Sequence, residues 1–320
     1  MSQTRRTVAT GALALGLSPG AALAAADLAL VAQYGAPEAP VTVFETNAGG
    51  LGVFAHGQPA RRLSLLAPGR YVVDGGGELV VTARGIRRDG VFLPRHDFGA
   101  EVQAGIRRAV RADPKALRAR ALAATPPKET GQFLPADLVD LATIDPTITF
   151  DIRYASRANF MGLTLYERPA AWLQRPAAQA LGRAAKVLAA QGYGLTIHDA
   201  YRPWFVTWMF WEATPPASRV FVADPAKGSR HNRGCAVDLT LHDLATGAVV
   251  QMPSRYDEMS TRSYADFAGG TARQRSLRQI LRDAMVAQGF EIYPEEWWHF
   301  DYGDWRRYPI GTKTFTELAG

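Results

Sequence analysis

The sequence predicts an α+β fold, and three observations carry that prediction. Strand-like and helix-like segments are mixed along the chain instead of alternating in βαβ order. Two long segments, Pro176 to Gln191 and Gln274 to Gln288, read as helices closed by Gly192 and Gly289. Val237, Leu239 and Leu241 alternate with Asp238, Thr240 and His242, the period of a half-buried strand. The expected architecture is a central antiparallel sheet flanked by helices, preceded by a small β-rich N-terminal domain. Composition agrees with such a globular chain. Of 320 residues, 47% are hydrophobic and 21% charged, which excludes a disordered, collagen-like or coiled-coil protein.

In chain order, residues 1–24 read as an export signal. Arg5 and Arg6 form a basic start, Val8 to Leu17 a short apolar run, and Ala22-Leu23-Ala24 a cleavage site. Thr4-Arg5-Arg6 resembles a twin-arginine signal; an ordinary secretory signal carrying two arginines is the alternative. The mature protein is expected outside the cytoplasm, periplasmic or secreted, with no membrane span. The single cysteine, Cys235, excludes an internal disulfide and any cysteine-rich metal site, and reads as a small core residue.

Residues 25–100 should form the β-rich domain. Val41 to Glu45, Leu51 to Phe54, Tyr71 to Val73 and Leu79 to Thr82 are β-branched or aromatic runs, separated by Gly49-Gly50, Pro68-Gly69 and Gly75-Gly76-Gly77. They predict a small antiparallel sheet or barrel. Residues 101–134 hold a basic helix from Glu101 to Ala124 and a linker at Pro126 to Gly131. The helix reads as a solvated amphipathic face before it reads as a membrane or acidic-polymer surface. The overall charge of +6 is scattered and dominated by Arg, without the dense patch that nucleic acid would call for. Residues 135–320 form the second unit, with strands near Leu138 to Ala142, Ile148 to Tyr154 and Leu195 to Asp199.

Two segments carry chemistry. In the first, His231 precedes Asp238 by seven residues, and Asp238 lies inside an apolar strand. A carboxylate there is costly unless paired or bound to a metal. In the second, Glu295-Glu296-Trp297-Trp298-His299 places His299 among aromatics and Glu296 three residues before it. The aromatic run favours a strand carrying His299, with Glu296 in the turn or bulge before it. Two His and one Asp would leave zinc one open position, as catalytic sites do. A carboxylate that does not bind the metal can then take the proton of the attacking water. A buried His–Asp–Glu hydrogen-bond cluster remains the alternative on the residues alone.

Five ordered motifs now add a resemblance. They are Tyr154-Ala155 with Asn159-Phe160-x-Gly162, His198-Asp199-Ala200-Tyr201-Arg202-Pro203, Ser229-x-His231 with Asp238, Ser254-Arg255-Tyr256-Asp257, and Glu296-Trp297-Trp298-His299. Together, over about residues 137 to 310, they resemble the zinc D-alanyl-D-alanine dipeptidases. The resemblance implies one Zn²⁺ per chain on His231, Asp238 and His299. It implies that Glu296 is the general base and later the proton donor, and that Arg202 stabilises the oxyanion. Asp257, with Tyr154, would hold the ammonium end of a free dipeptide, Ser229 would contact its carboxylate, and Asp199 would orient Arg202. The implied substrate is D-Ala-D-Ala or a related short wall-derived peptide. Pro253 stands where the family usually has Gly, and Tyr256 where it usually has Phe. A D,D- or L,D-carboxypeptidase on wall peptides and a non-catalytic zinc-stabilised wall-peptide binding module are the rival readings. The spare base Glu296 argues against the second, and Asp257 against the first.

Overall fold

The computed structural model describes residues 25–319; the export-signal reading falls on residues 1–24, outside them. After one helical turn, α1 (Ala25–Leu28), eight strands follow. They are β1 (Ala32–Tyr34), β2 (Val41–Glu45), β3 (Leu51–Ala55), β4 (Arg61–Ala67), β5 (Arg70–Val73), β6 (Glu78–Thr82), β7 (Gly85–Arg88) and β8 (Val91–His96). Each pairs antiparallel with the next, and β1 pairs with β8, so the sheet closes into a barrel with no free edge. The four expected strands are all present. β1, β4, β7 and β8 were not expected, because β4 and β7 begin or end on paired arginines and β8 contains Pro94.

The barrel has its own core, including Val43, Val53, Val73, Leu79 and Ile86, all at most 1% exposed. Its two buried tyrosines keep their hydroxyls bonded, Tyr34 to the Leu30 carbonyl at 2.8 Å and Tyr71 to Asp27.

The basic stretch forms two helices, α2 (Phe98–Ala112) and α3 (Pro114–Ala123), instead of the expected single helix. Pro114 has no N–H to continue α2, and the Asp113 side chain caps α3 through the Ala116 N–H at 2.9 Å. Ile106, Val110, Leu117 and Ala121 join the main core of the second unit, not the barrel's. The Pro126–Gly131 segment is pinned rather than free, since the Glu129 carboxylate accepts Arg233 Nη2 and the Ile310 N–H, both at 2.6 Å.

The rest contains β9 (Leu138–Asp140), β10 (Ile148–Phe150), β11 (Trp172–Gln174), α4 (Arg175–Ala189), β12 (Tyr193–Asp199), α5 (Trp204–Ala213), β13 (Ala236–Asp243), α6 (Ala272–Val286), β14 (Phe290–Ile292), β15 (His299–Tyr302) and α7 (Phe315–Ala319). β9 and β11 form a small antiparallel pair. The central sheet runs β10-β12-β13-β15-β14. It is mixed, not antiparallel throughout: β10 pairs parallel with β12, because the chain returns through β11 and α4 before entering β12. α4 and α6 pack against the sheet. α6 opens with a capping box, Thr271 and Gln274 each bonding the other's backbone N–H. β13 is buried on both faces, not half-buried. Its apolar residues Val237, Leu239 and Leu241 join the core, and Asp238 on its polar face lines the site described next.

Candidate metal centre and substrate cavity

Strand register assembles most of the site. Asp238 on β13 lies opposite His299 on β15 on one side and opposite Asp199 on β12 on the other. A bulge between Ile197 and Asp199 inserts one extra residue in β12. In a regular strand Asp199 would share the face of Ile197; the bulge turns it to the side of Asp238. His231 comes from a 3-10 turn, His231–Arg233, just before β13. That turn ends at Gly234 with φ 66°, where a Cβ would lie 2.5 Å from Leu138 Cδ2, so the sharp re-entry into β13 needs glycine.

Three atoms converge. His231 Nε2 lies 3.1 Å from His299 Nδ1 and 3.3 Å from Asp238 Oδ1, and the latter two are 3.0 Å apart. Ligands about 2.0–2.1 Å from a tetrahedral ion sit about 3.3 Å from each other, so the three atoms form one face of such a site. Among the described residues, His231, Asp238 and His299 are the group of His, Cys, Asp or Glu side chains whose ligand atoms cluster closely enough to hold a metal ion. Their backing also fits a metal. His231 Nδ1 faces the Ala200 carbonyl at 2.6 Å, and His299 Nε2 faces Asp301 Oδ1 at 2.9 Å. Each contact fixes a ring and leaves its other nitrogen for an ion. The remaining Asp238 oxygen accepts from the Tyr256 hydroxyl at 2.9 Å.

Charge in this pocket is strongly shifted. Burial alone would raise the Asp238 carboxyl, but the imidazoles of His231 and His299 outweigh it and hold the group well below the usual carboxylate range. Burial would lower His299, yet Asp301 and Asp238 lift it to about 10. Glu296 sits in the turn between β14 and β15, with Oε2 3.7 Å from His299 Nδ1. It stands beside the ligand triad, not in it. Burial pushes its carboxyl up to about 8; Asp238 and Asp257 add to this, and His299 partly offsets it.

Arg202 is buried and fixed. Its Nε donates to Asp199 Oδ2 at 2.9 Å, its Nη2 lies 2.8 Å from the same oxygen, and its guanidinium stacks 4.6 Å above the Phe210 ring. Asp199 therefore holds Arg202, and Tyr166 holds Asp199 through a 2.7 Å hydrogen bond. Nη2 reaches toward Asp238 Oδ2 at 3.7 Å. Across the cavity, the Tyr154 hydroxyl donates to the Asp257 carboxylate, 2.9 and 3.1 Å from its two oxygens. Burial, reinforced by Asp238, pushes Asp257 up to about 8 despite Tyr154 and Arg202. Ser229 is buried, its Oγ accepts the His231 N–H at 3.2 Å, and it lines the same cavity as Arg202, Asp257 and Glu296. All nine sequence-selected residues thus surround one cavity, eight lining it directly and Asp199 reaching it through Arg202.

Sequence reasoning passed over four contributors. Asp301 is two residues after His299 on the same strand, and the period of two was the available signal. Arg230 Nε lies 3.4 Å from Asp301 Oδ2. The Tyr256 hydroxyl, noted only as a departure from Phe, gives Asp238 a partner. The Ala200 carbonyl behind His231 leaves no side-chain signal at all.

Comparison with known proteins finds relatives for the part of the chain that carries this site. The family model described as D-Ala-D-Ala dipeptidase matches residues 135–316. The D-alanyl-D-alanine dipeptidase of Escherichia coli strain K12 is 34% identical over 180 residues, 56% of this chain and 92% of the relative. The protein of that name from Enterococcus faecium is 35% identical over 174 residues, 48% of this chain and 85% of the relative. A third, from Streptomyces coelicolor, is 31% identical over 182 residues, 50% and 90% respectively.

Proposed function

Because the chain belongs to the D-Ala-D-Ala dipeptidase family of peptidases, we propose that it hydrolyses D-Ala-D-Ala or closely related short D-amino-acid dipeptides with zinc as its metal. The observation that carries this reading is the placement of Glu296, 3.7 Å from a nitrogen of the ligand triad yet outside it. His231, Asp238 and His299 would hold the ion. When bound, it supplies the Lewis acidity that makes water nucleophilic near neutral pH and polarises the scissile carbonyl.

The chain's own groups do the rest. Asp257 and the Tyr154 hydroxyl receive the substrate ammonium, and that cation neutralises a carboxylate whose burial otherwise raises it to about 8. Ser229 takes the substrate carboxylate. Arg202, immobilised by Asp199 and stacked on Phe210, presents a fixed cation to the charge that develops on the carbonyl oxygen. Glu296 takes the proton from the attacking water and returns it to the leaving amine. Burial raises that carboxyl above its ordinary value, the direction a group that returns a proton to the leaving amine needs. Asp257 disfavours the carboxypeptidase reading, since an internal peptide has no ammonium to place beside it.

The test is Glu296→Gln, which keeps shape and removes the base. Zinc content should match the wild type while turnover on D-Ala-D-Ala falls by at least ~10²-fold. Hydrolysis at a rate close to the wild type's would remove Glu296 from the mechanism. Faster hydrolysis of a wall pentapeptide than of the dipeptide would favour the carboxypeptidase reading.

A further inference from the structure

Asp257 and Phe160 line the site cavity, and both also line a second cavity beside it. They are the partition between the two. The second cavity is also lined by Gln103 and Arg107 of α2, a helix that precedes the residues matched by the family.

Gly99, Gln103 and Arg107 are spaced four apart and therefore form one stripe along α2. Gln103 and Arg107 hold backbone at or next to the partition, and Gly99 packs beside it. Gln103 Nε2 donates to the Asp257 carbonyl at 2.8 Å. Arg107 Nη2 donates to the Asn159 carbonyl at 2.6 Å, next to Phe160. Gly99 lies flat against Glu258, where any Cβ would fall on the glutamate side chain. Glu258 is 1% exposed and is bonded in turn by Ser260 Oγ at 2.7 Å, with Arg262 Nε 3.3 Å away. At the start of the helix, Asp97 pairs with Arg255 at 2.9 Å. Asp257 itself has φ 60°, a left-handed conformation that non-glycine residues hold only when their surroundings impose it. Gln103 is a direct external hold on that residue's backbone.

We infer that α2 is a substrate-length gauge: through Gln103 and Arg107 it fixes the wall behind Asp257, so that the cavity ends where a free terminal ammonium ends. This rests on the dipeptidase reading above. Gln103 and Arg107 are positioning residues, since neither meets the substrate. With the wall fixed, a substrate extended on its amino side has to displace Asp257 and Phe160 to enter the second cavity. With it released, Asp257 loses its set position and the partition can yield.

The experiment compares zinc-loaded wild type, Gln103→Ala, Arg107→Ala and Gln103→Lys on D-Ala-D-Ala and on N-acetyl-D-Ala-D-Ala, with the thermal midpoint of each as a folding control. Gln103→Ala should raise KM for the free dipeptide about fivefold, the scale of one net hydrogen bond, with kcat nearly unchanged. Its preference for the free over the acetylated dipeptide should fall by more than that factor. Arg107→Ala should lower the same preference through the Phe160 side of the wall. Gln103→Lys keeps a donor of similar reach and should restore part of the selectivity, which a general loss of packing would not allow. An active wild type whose alanine variants keep wild-type KM and selectivity overturns the gauge alone. A wild type inert toward the free dipeptide overturns the dipeptidase reading and the gauge with it.

Discussion

Inside the barrel, buried positions carry Val43, Val53, Val73, Leu79 and Ile86; in the central sheet and its flanking turns they carry Asp199, Arg202, His231, Asp238, His299 and Asp301. Both regions are sheets, and in both these side chains are buried. In the first, burial of apolar area is the stabilising term and a substitution is felt as lost packing. In the second, charge is carried inside at a cost, and it is tolerable only because each group meets a partner. Asp238 alone touches His231, His299 and Tyr256. The buried charge is thus concentrated in the central sheet and its turns, which also carry a large apolar core, while the barrel's core residues are apolar.

Three substitutions test that contrast, in descending order of effect. His231→Ala removes a ligand and leaves the Asp238 and His299 pair without its third corner. Zinc and hydrolysis should be lost together, and a variant that keeps full zinc by metal analysis would show the ligand set to be wrong. Asp301→Ala removes the carboxylate behind His299 without touching the triad. Zinc affinity should drop by ~10- to 100-fold, with activity recovered by excess zinc. Unaltered affinity would mean that the buried charges around the triad are not acting as a unit. Leu79→Ala should cost about 2–5 kcal/mol of stability, read in denaturant unfolding, and leave the kcat of the folded enzyme unchanged. A large change in kcat from this barrel position would erase the division between the two sheets.

The two regions were also unequally legible in the sequence. Alternation along 237–242 marked β13, Pro176 and Gly192 marked α4, and Gly289 marked the end of α6, because these signals are local. Asp238 and His299 stood out because polar residues in apolar or aromatic runs demand an explanation, and His231 because it lies seven residues before Asp238. What was not legible depends on distant partners. Closure of β1 on β8 and the parallel pairing of β10 with β12 are set by the path of the chain, which no short window contains. α5 lacks an amphipathic period because Trp204, Phe205, Val206, Thr207, Met209 and Phe210 are buried around most of its circumference. Gln103 and Arg107 read as ordinary polar residues of a basic helix, and only the backbone carbonyls they hold distinguish them.

Cys235 gives the protein a built-in reporter. It is fully buried, its thiol is pushed far up by burial, and it stands between Gly234 and the first residue of β13. A buried, protonated thiol reacts slowly, so a cysteine-specific reagent labels the chain mainly through openings that expose the junction between the turn carrying His231 and the strand carrying Asp238. With no second cysteine to compete, the labelling rate of the unmodified protein reports how often the chain beside the site opens.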